Sequence, residues 1–158
     1  MIIKGLIVED FVNYKKPCMV IEMPYCDFKC DKENGCQLCQ NSSLINEKDI
    51  DISIERIIET YYINNPITKA IVFQGLEPLY EIGELIDSIK IIRTYTNDDI
   101  VIYTGYTEDE SHIFIDKIKQ YPNIIMKFGR FRPNQEPHYD GVLEVKLASN
   151  NQYGKIIS

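Results

Sequence analysis

The chain has 158 residues, enough for one domain with a real core and too few for two ordinary ones. At 44% hydrophobic it is not a disordered segment, and none of its apolar runs is long enough to span a bilayer. The formal charge of −7, with no Lys/Arg cluster, argues against a nucleic-acid partner. The start, Met1-Ile2-Ile3-Lys4-Gly5, lacks the basic region, long apolar stretch and cleavage site of a signal peptide. The expectation is a cytoplasmic protein with no membrane contact.

Apolar periodicity alternates along the chain. Residues 2–8 read as extended, and residues 18–23 as a buried strand. A cysteine loop follows over 24–43. Ser53 opens a helix whose apolar face is Ile54, Ile57, Ile58, Tyr61 and Tyr62, and Pro66 ends it by Asn65. Ala70-Ile71-Val72-Phe73 is a short apolar strand broken by Gln74-Gly75-Leu76-Glu77-Pro78. A second helix covers about 80–95, and Asn97-Asp98-Asp99 is a turn.

Ile100 to Tyr103 is the next strand, and a third helix is expected over about 109–120. Ile124 to Phe128 is again a strand. Residues 131–141 read as loop, Val142 to Leu147 as extended, and 149–154 as a polar tail before a short Ile156-Ile157 strand. This alternation predicts a single α/β domain over 1–158 with a largely parallel sheet and right-handed crossovers. Three clean βα units are visible. A complete eight-unit barrel does not fit, whereas a partial (β/α) barrel does.

Four of the five cysteines, Cys26, Cys30, Cys36 and Cys39, fall within fourteen residues just after the 18–23 strand. Thiolates this dense on one loop suit an iron–sulfur cluster or zinc better than disulfides. All four can serve a structural zinc, and three can serve a cluster. Strand ends are where α/β proteins place their chemistry, which favours the cluster. Cys18 stands apart and reads as a small buried strand residue. His112 reads as a surface helix residue, and His138 receives no role.

Four segments carry a family resemblance in order, spanning about residues 10–155. Cys26-Asp27-Phe28-Lys29-Cys30 with Leu38-Cys39-Gln40-Asn41 resembles the C-x3-C-x2-C signature of radical S-adenosylmethionine (SAM) proteins. Phe73-Gln74-Gly75-Leu76-Glu77-Pro78 resembles their Gly-Gly-Glu-Pro motif, with Leu76 in place of the second glycine. Tyr103-Thr104-Gly105-Tyr106 and Phe128-Gly129-Arg130-Phe131 resemble the Tyr-Thr-Gly-Tyr and Gly-Arg-Phe segments of anaerobic ribonucleoside-triphosphate reductase activating proteins. Two departures stand out. Eight residues separate Cys30 from Cys39 where the signature has two, and Gln40 stands where the activating proteins typically have His.

The resemblance implies a radical SAM-like partial barrel holding a [4Fe–4S] cluster on Cys26, Cys30 and Cys39. Cys36 is then an extra thiol on the insertion. The alternative places the insertion in the first gap, with Cys26 or Cys30, Cys36 and Cys39 as ligands. Three ligands leave one iron for the amino and carboxylate groups of SAM. Gly75, Glu77, Tyr103, Thr104 and Arg130 are the implied SAM-binding residues, with Glu77 accepting from the SAM ammonium. The implied activity is reductive SAM cleavage that installs a glycyl radical on the large subunit of anaerobic ribonucleoside-triphosphate reductase. An electron donor such as flavodoxin would supply the reducing equivalent. Two other readings stay open: a small-molecule enzyme similar to 7-carboxy-7-deazaguanine synthases, and a non-enzymatic zinc- or cluster-bearing interaction module.

Overall fold

A computed structural model describes residues 1–158. Its centre is a six-stranded sheet. Strands β3 (Cys18–Met23), β5 (Ala70–Gly75), β6 (Asp99–Tyr103) and β7 (Ile124–Phe128) run parallel and neighbour one another in that order. The edges are antiparallel: β2 (Gly5–Asp10) beside β3, and β10 (Tyr153–Ile156) beside β7. The sheet is open, because its edge strands do not pair with each other. Two small ladders complete the β structure. One joins β1 (Ile2–Ile3) to β4 (Ile50–Asp51), and the other joins β8 (His138–Asp140) to β9 (Val145–Leu147).

The parallel strands advance in one direction across the sheet, and their connecting helices all lie on one face. Ile54, Ile57, Ile58 and Tyr62 of the first connection, Leu85, Ile89 and Ile92 of the second, and Phe114 and Ile118 of the third share one buried cluster with Ile21, Phe73, Ile102 and Met126 of the sheet. The opposite face carries Val20, Val72, Val101 and Ile125, roofed by Tyr14, Leu143 and Leu147. Period-2 alternation produces this division, since neighbouring strand residues point to opposite faces. Both faces are covered, which is why the strands read as continuous apolar runs.

The helices depart from expectation at their ends. The first, α2 (Ile54–Ile57), is a single regular turn continued by a wider π turn at Ile58–Tyr62. Ser53 caps it, accepting from the Arg56 amide at 3.3 Å. The second opens as a 3-10 turn, Pro78–Glu81, before α3 (Ile82–Tyr95). The third, α4, is confined to His112–Ile118, because residues before it form turns. The sequence reading missed the β1–β4 ladder and the strand at His138–Asp140. It also placed the last strand too late: β10 starts at Tyr153, inside the stretch taken for a polar tail. Its residues, Tyr153, Gly154, Lys155 and Ile156, carry no strand periodicity and are mostly exposed, and β7 supplies the hydrogen bonds that hold it.

Candidate metal and cofactor site

The C-terminal ends of β3, β5, β6 and β7 open into one cavity of about 330 Å³, in the range of small-molecule sites. The cysteine loop covers it. Within that loop, a short helix, α1 (Lys29–Asn34), replaces the expected irregular segment. Phe28 begins it in the left-handed region at φ 52°, and Gly35 ends it at φ 68°. A non-glycine residue held there stores strain of order 1–3 kcal/mol, a cost found where structure serves a site.

Cys26, Cys30 and Cys39 line the cavity, and Cys36 does not. Cys36 is exposed on the insertion, its thiol turned to the Asn34 carbonyl. Helix α1 brings Cys39 back toward Cys30 by a device the spacing alone did not reveal. The Asp31 carboxylate accepts from the Leu38 and Cys39 amides, both at 2.8 Å, so the insertion is folded out and its ends are drawn together. Asn41 then fastens the loop to the sheet, donating to the Gly75 carbonyl at 2.7 Å.

The three cavity thiols are electrostatically unequal. The Cys30 thiol donates to Cys39, which holds the Cys39 thiol down at about 7 and pushes Cys30 up. Burial pushes Cys26 up to about 11, opposed by a hydrogen bond from the Phe28 amide at 3.2 Å. Cys18 is fully buried in β3, as its sequence context implied.

These donors suit a cubane better than a single zinc ion. A mononuclear site needs its ligands at about 2.0–2.3 Å from one point. No three His, Cys, Asp or Glu side chains converge in that way. A cubane places each cysteine on a different iron, so its thiolates stand further apart. Three thiols in one cavity, with the fourth turned outside, are enough to hold a cubane by three of its irons, and Cys30 and Cys39 would part from their mutual hydrogen bond to do so.

The remaining expected site residues are mostly tied to one another. Glu77 is 6% exposed. Its Oε1 accepts from the Leu79 amide at 2.9 Å and the Thr104 hydroxyl at 2.7 Å, and its Oε2 accepts from the Gly105 amide at 2.8 Å. One lone pair of Oε2 stays free for a ligand. Burial raises the Glu77 pKa, while the three hydrogen bonds act in the opposite direction. Gly75 sits at φ +95°, where an added Cβ would come within 3.0 Å of the Met23 amide nitrogen. Thr104 lies beneath Glu77, and Tyr103, which also lines the cavity, donates its hydroxyl to the Asn13 carbonyl at 2.5 Å.

Arg130 is engaged by protein carboxylates, Glu110 at 2.7 Å and Glu33 at 3.3 Å. With Lys29 it brackets the Tyr106 ring, at 5.7 Å and 4.1 Å from its centroid. Tyr106 donates to Asp27 at 3.0 Å. The Arg130 hydrogen bond brings Glu110 down to about 2. This network, absent from the sequence reading apart from Arg130, clamps the cysteine loop to the ends of β6 and β7. His112 is exposed at the start of α4.

Fold and cavity together define an α/β protein with a three-thiol site at the ends of parallel strands. A family model described as a 4Fe-4S single cluster domain matches residues 18–152. The chain belongs to that family, and its cofactor is a [4Fe–4S] cluster. Searches of curated proteins and of solved structures found no match. No helix is long and apolar enough to cross a membrane.

Two consequences are measurable in the metal-free protein. The thiolate is the nucleophile, so alkylation of Cys39 by iodoacetamide should rise with pH through about 7, well before Cys26 reacts. Cys30→Ala removes the hydrogen bond to Cys39 and should move that profile to higher pH, as mass spectrometry of the labelled peptides would record. Glu77→Gln sets an amide N–H2 against the surrounding donors. Urea unfolding should show a loss of about 1–3 kcal/mol, the cost of spoiling buried hydrogen bonds to a charged group.

Proposed function

We propose that this chain is a radical SAM activase that generates a glycyl radical on a partner protein, with anaerobic ribonucleoside-triphosphate reductase as that partner. One observation carries the reading: three cysteines face the cavity and the fourth is excluded from it. A [4Fe–4S] cluster held by three thiolates keeps one iron free for a second ligand. The singly wound sheet, with every connecting helix on one face, supports the view that it is an arc of a (β/α) barrel whose strand ends hold the chemistry.

Cys26, Cys30 and Cys39 would hold the cluster, with Asp31 and Asn41 fixing the loop that carries them. When bound, the reduced cluster and SAM supply a hydrogen-abstracting radical. Glu77 would orient the SAM ammonium through its free lone pair, its own carboxylate held rigid by Leu79, Thr104 and Gly105. Gly75 permits close approach of the backbone on the other side. The clamp of Arg130, Glu110, Lys29 and Asp27 around Tyr106 would keep the loop closed and water out. A donor such as flavodoxin would deliver the electron. The cavity is open on one side, and a protein partner can supply the missing wall.

The test is anaerobic incubation of cluster-loaded protein with reductant, SAM and the cognate reductase. It should yield 5′-deoxyadenosine, methionine and an EPR doublet that collapses when the partner's glycine is deuterated at Cα. Cys26→Ala, Cys30→Ala and Cys39→Ala should each abolish SAM cleavage, whereas Cys36→Ala should retain it. Loss in Cys36→Ala with retention in Cys30→Ala would reverse the ligand assignment. Turnover of a small molecule with no radical on any protein would replace the activase reading.

A further inference from the structure

One set of polar side chains in the cavity belongs to none of the motifs. Strand register pairs Glu22 with Gln74 and Tyr103 with Lys127, and the β5–β6 ladder, which ends at Phe73–Ile102, sets these two pairs side by side as one row across β3, β5, β6 and β7. All four line the cavity. The preceding row on the same face, Val20, Val72, Val101 and Ile125, is wholly apolar. The sheet therefore turns from apolar to polar one row short of the strand ends, directly below the cysteine loop.

Two members of this row, Glu22 and Gln74, are without a protein partner, whereas Glu77 and Thr104 are engaged. Neither the Glu22 carboxylate nor the Gln74 carboxamide has a hydrogen-bond partner within the protein, and both open to the cavity. Lys127 is 8% exposed, and its one protein acceptor is the Gly129 carbonyl at 2.8 Å. No carboxylate pairs with it. A buried ammonium without an anionic partner is costly, and burial depresses its pKa to about 8. The Tyr103 ring lies 6.0 Å from the ammonium, and with one of its three N–H donors spent on Gly129 the group keeps donor capacity for an incoming acceptor. Tyr103, between Gln74 and Lys127, spends its proton on Asn13 and presents only an acceptor to the cavity.

The row thus offers an acceptor at one end, a donor–acceptor amide next to it, and a strong donor at the other end. Its backbone positions span about 14 Å, three inter-strand spacings, which matches about four residues of extended chain. A peptide laid across the strands presents N–H and C=O groups over that span. A glycine-bearing segment has only its main chain to offer at the reacting residue, so recognition there must be by main-chain hydrogen bonds. We propose that Glu22, Gln74 and Lys127 form a subsite that reads the main chain of an extended, glycine-containing peptide, Glu22 accepting from its N–H groups and Gln74 and Lys127 donating to its carbonyls. This assignment rests on the activase reading and names the chemistry by which the partner would be held.

The experiment uses cluster-loaded, full-length protein under anaerobic conditions, titrated calorimetrically with the capped peptide acetyl-Ala-Ala-Gly-Ala-Ala-amide. A second probe replaces the glycine N–H by an ester oxygen, and a third is succinate. Wild-type protein should bind the amide peptide, and the ester analogue should bind more weakly. Gln74→Leu and Lys127→Met should each weaken the amide peptide by about tenfold or more, the loss of a hydrogen bond involving a charged or buried group. Equal binding of the ester and amide peptides by wild-type protein overturns the proposal, and that arm needs no variant to fold. Undiminished peptide binding by folded Gln74→Leu and Lys127→Met overturns it too. Binding of succinate but not of the peptide, lost in Lys127→Met, would assign the row to a small anion and also overturn it. SAM titrated separately against the wild-type protein distinguishes the two levels. Failure to bind SAM, with peptide recognition intact, removes the radical reading and leaves the subsite standing.

Discussion

The buried carboxylate of Glu77 is the constraint on which the site depends. It lies where three strands end. Its backbone amide donates to the Tyr25 carbonyl at 2.8 Å, just past β3, while its own residue follows β5. Its side chain reaches the Thr104 hydroxyl and Gly105 amide at the end of β6. An ionised group buried this deeply is tolerated only when hydrogen bonds replace its water. Three such bonds do so here, and they fix the spacing of the strand ends around the cavity. Cys26 follows directly on Tyr25, so the position of the first thiol is set by the same contact.

The cysteine loop is anchored to this frame by polar contacts rather than by a core. No residue of α1 is buried. Asp31 draws in Cys39, Asn41 reaches Gly75, and the Arg130–Glu110–Lys29 group ties the outer side. Exposed ion pairs contribute little individually, typically about 0.2–1 kcal/mol, so the loop's order depends on several acting together. A bound cluster would add bonds between the three thiols and make the loop far less able to open. Coupling of metal binding to local order is expected for such a site.

Much of this was legible in the sequence. The four central strands are continuous apolar runs because both sheet faces are covered, and the pattern marks them with few errors. The four cysteines marked the loop, and the fold turns Cys36 away from the cavity that Cys26, Cys30 and Cys39 line. What stayed hidden depends on tertiary contacts. The fold-back at Asp31 joins residues seven and eight apart through main-chain amides, which no side-chain pattern reveals. β10 is held by pairing with β7 rather than by its own composition. The polar row requires strand register, because Glu22, Gln74 and Lys127 are spread over more than a hundred residues of chain. Arg130 illustrates the limit from the other side: its position at a strand end was readable, but its pairing with Glu110 and Glu33 was not.

The central claim is that three cysteines hold a [4Fe–4S] cluster with one iron open to SAM. The most direct measurement is the EPR spectrum of the chemically reduced, cluster-loaded protein before and after SAM is added. The account predicts one cubane signal whose g values shift when SAM occupies the open iron, in wild-type protein and in Cys36→Ala alike. A spectrum unchanged by SAM in wild-type protein and altered by it only in Cys36→Ala would contradict the account, because Cys36 would then be the fourth ligand and the iron would not be open.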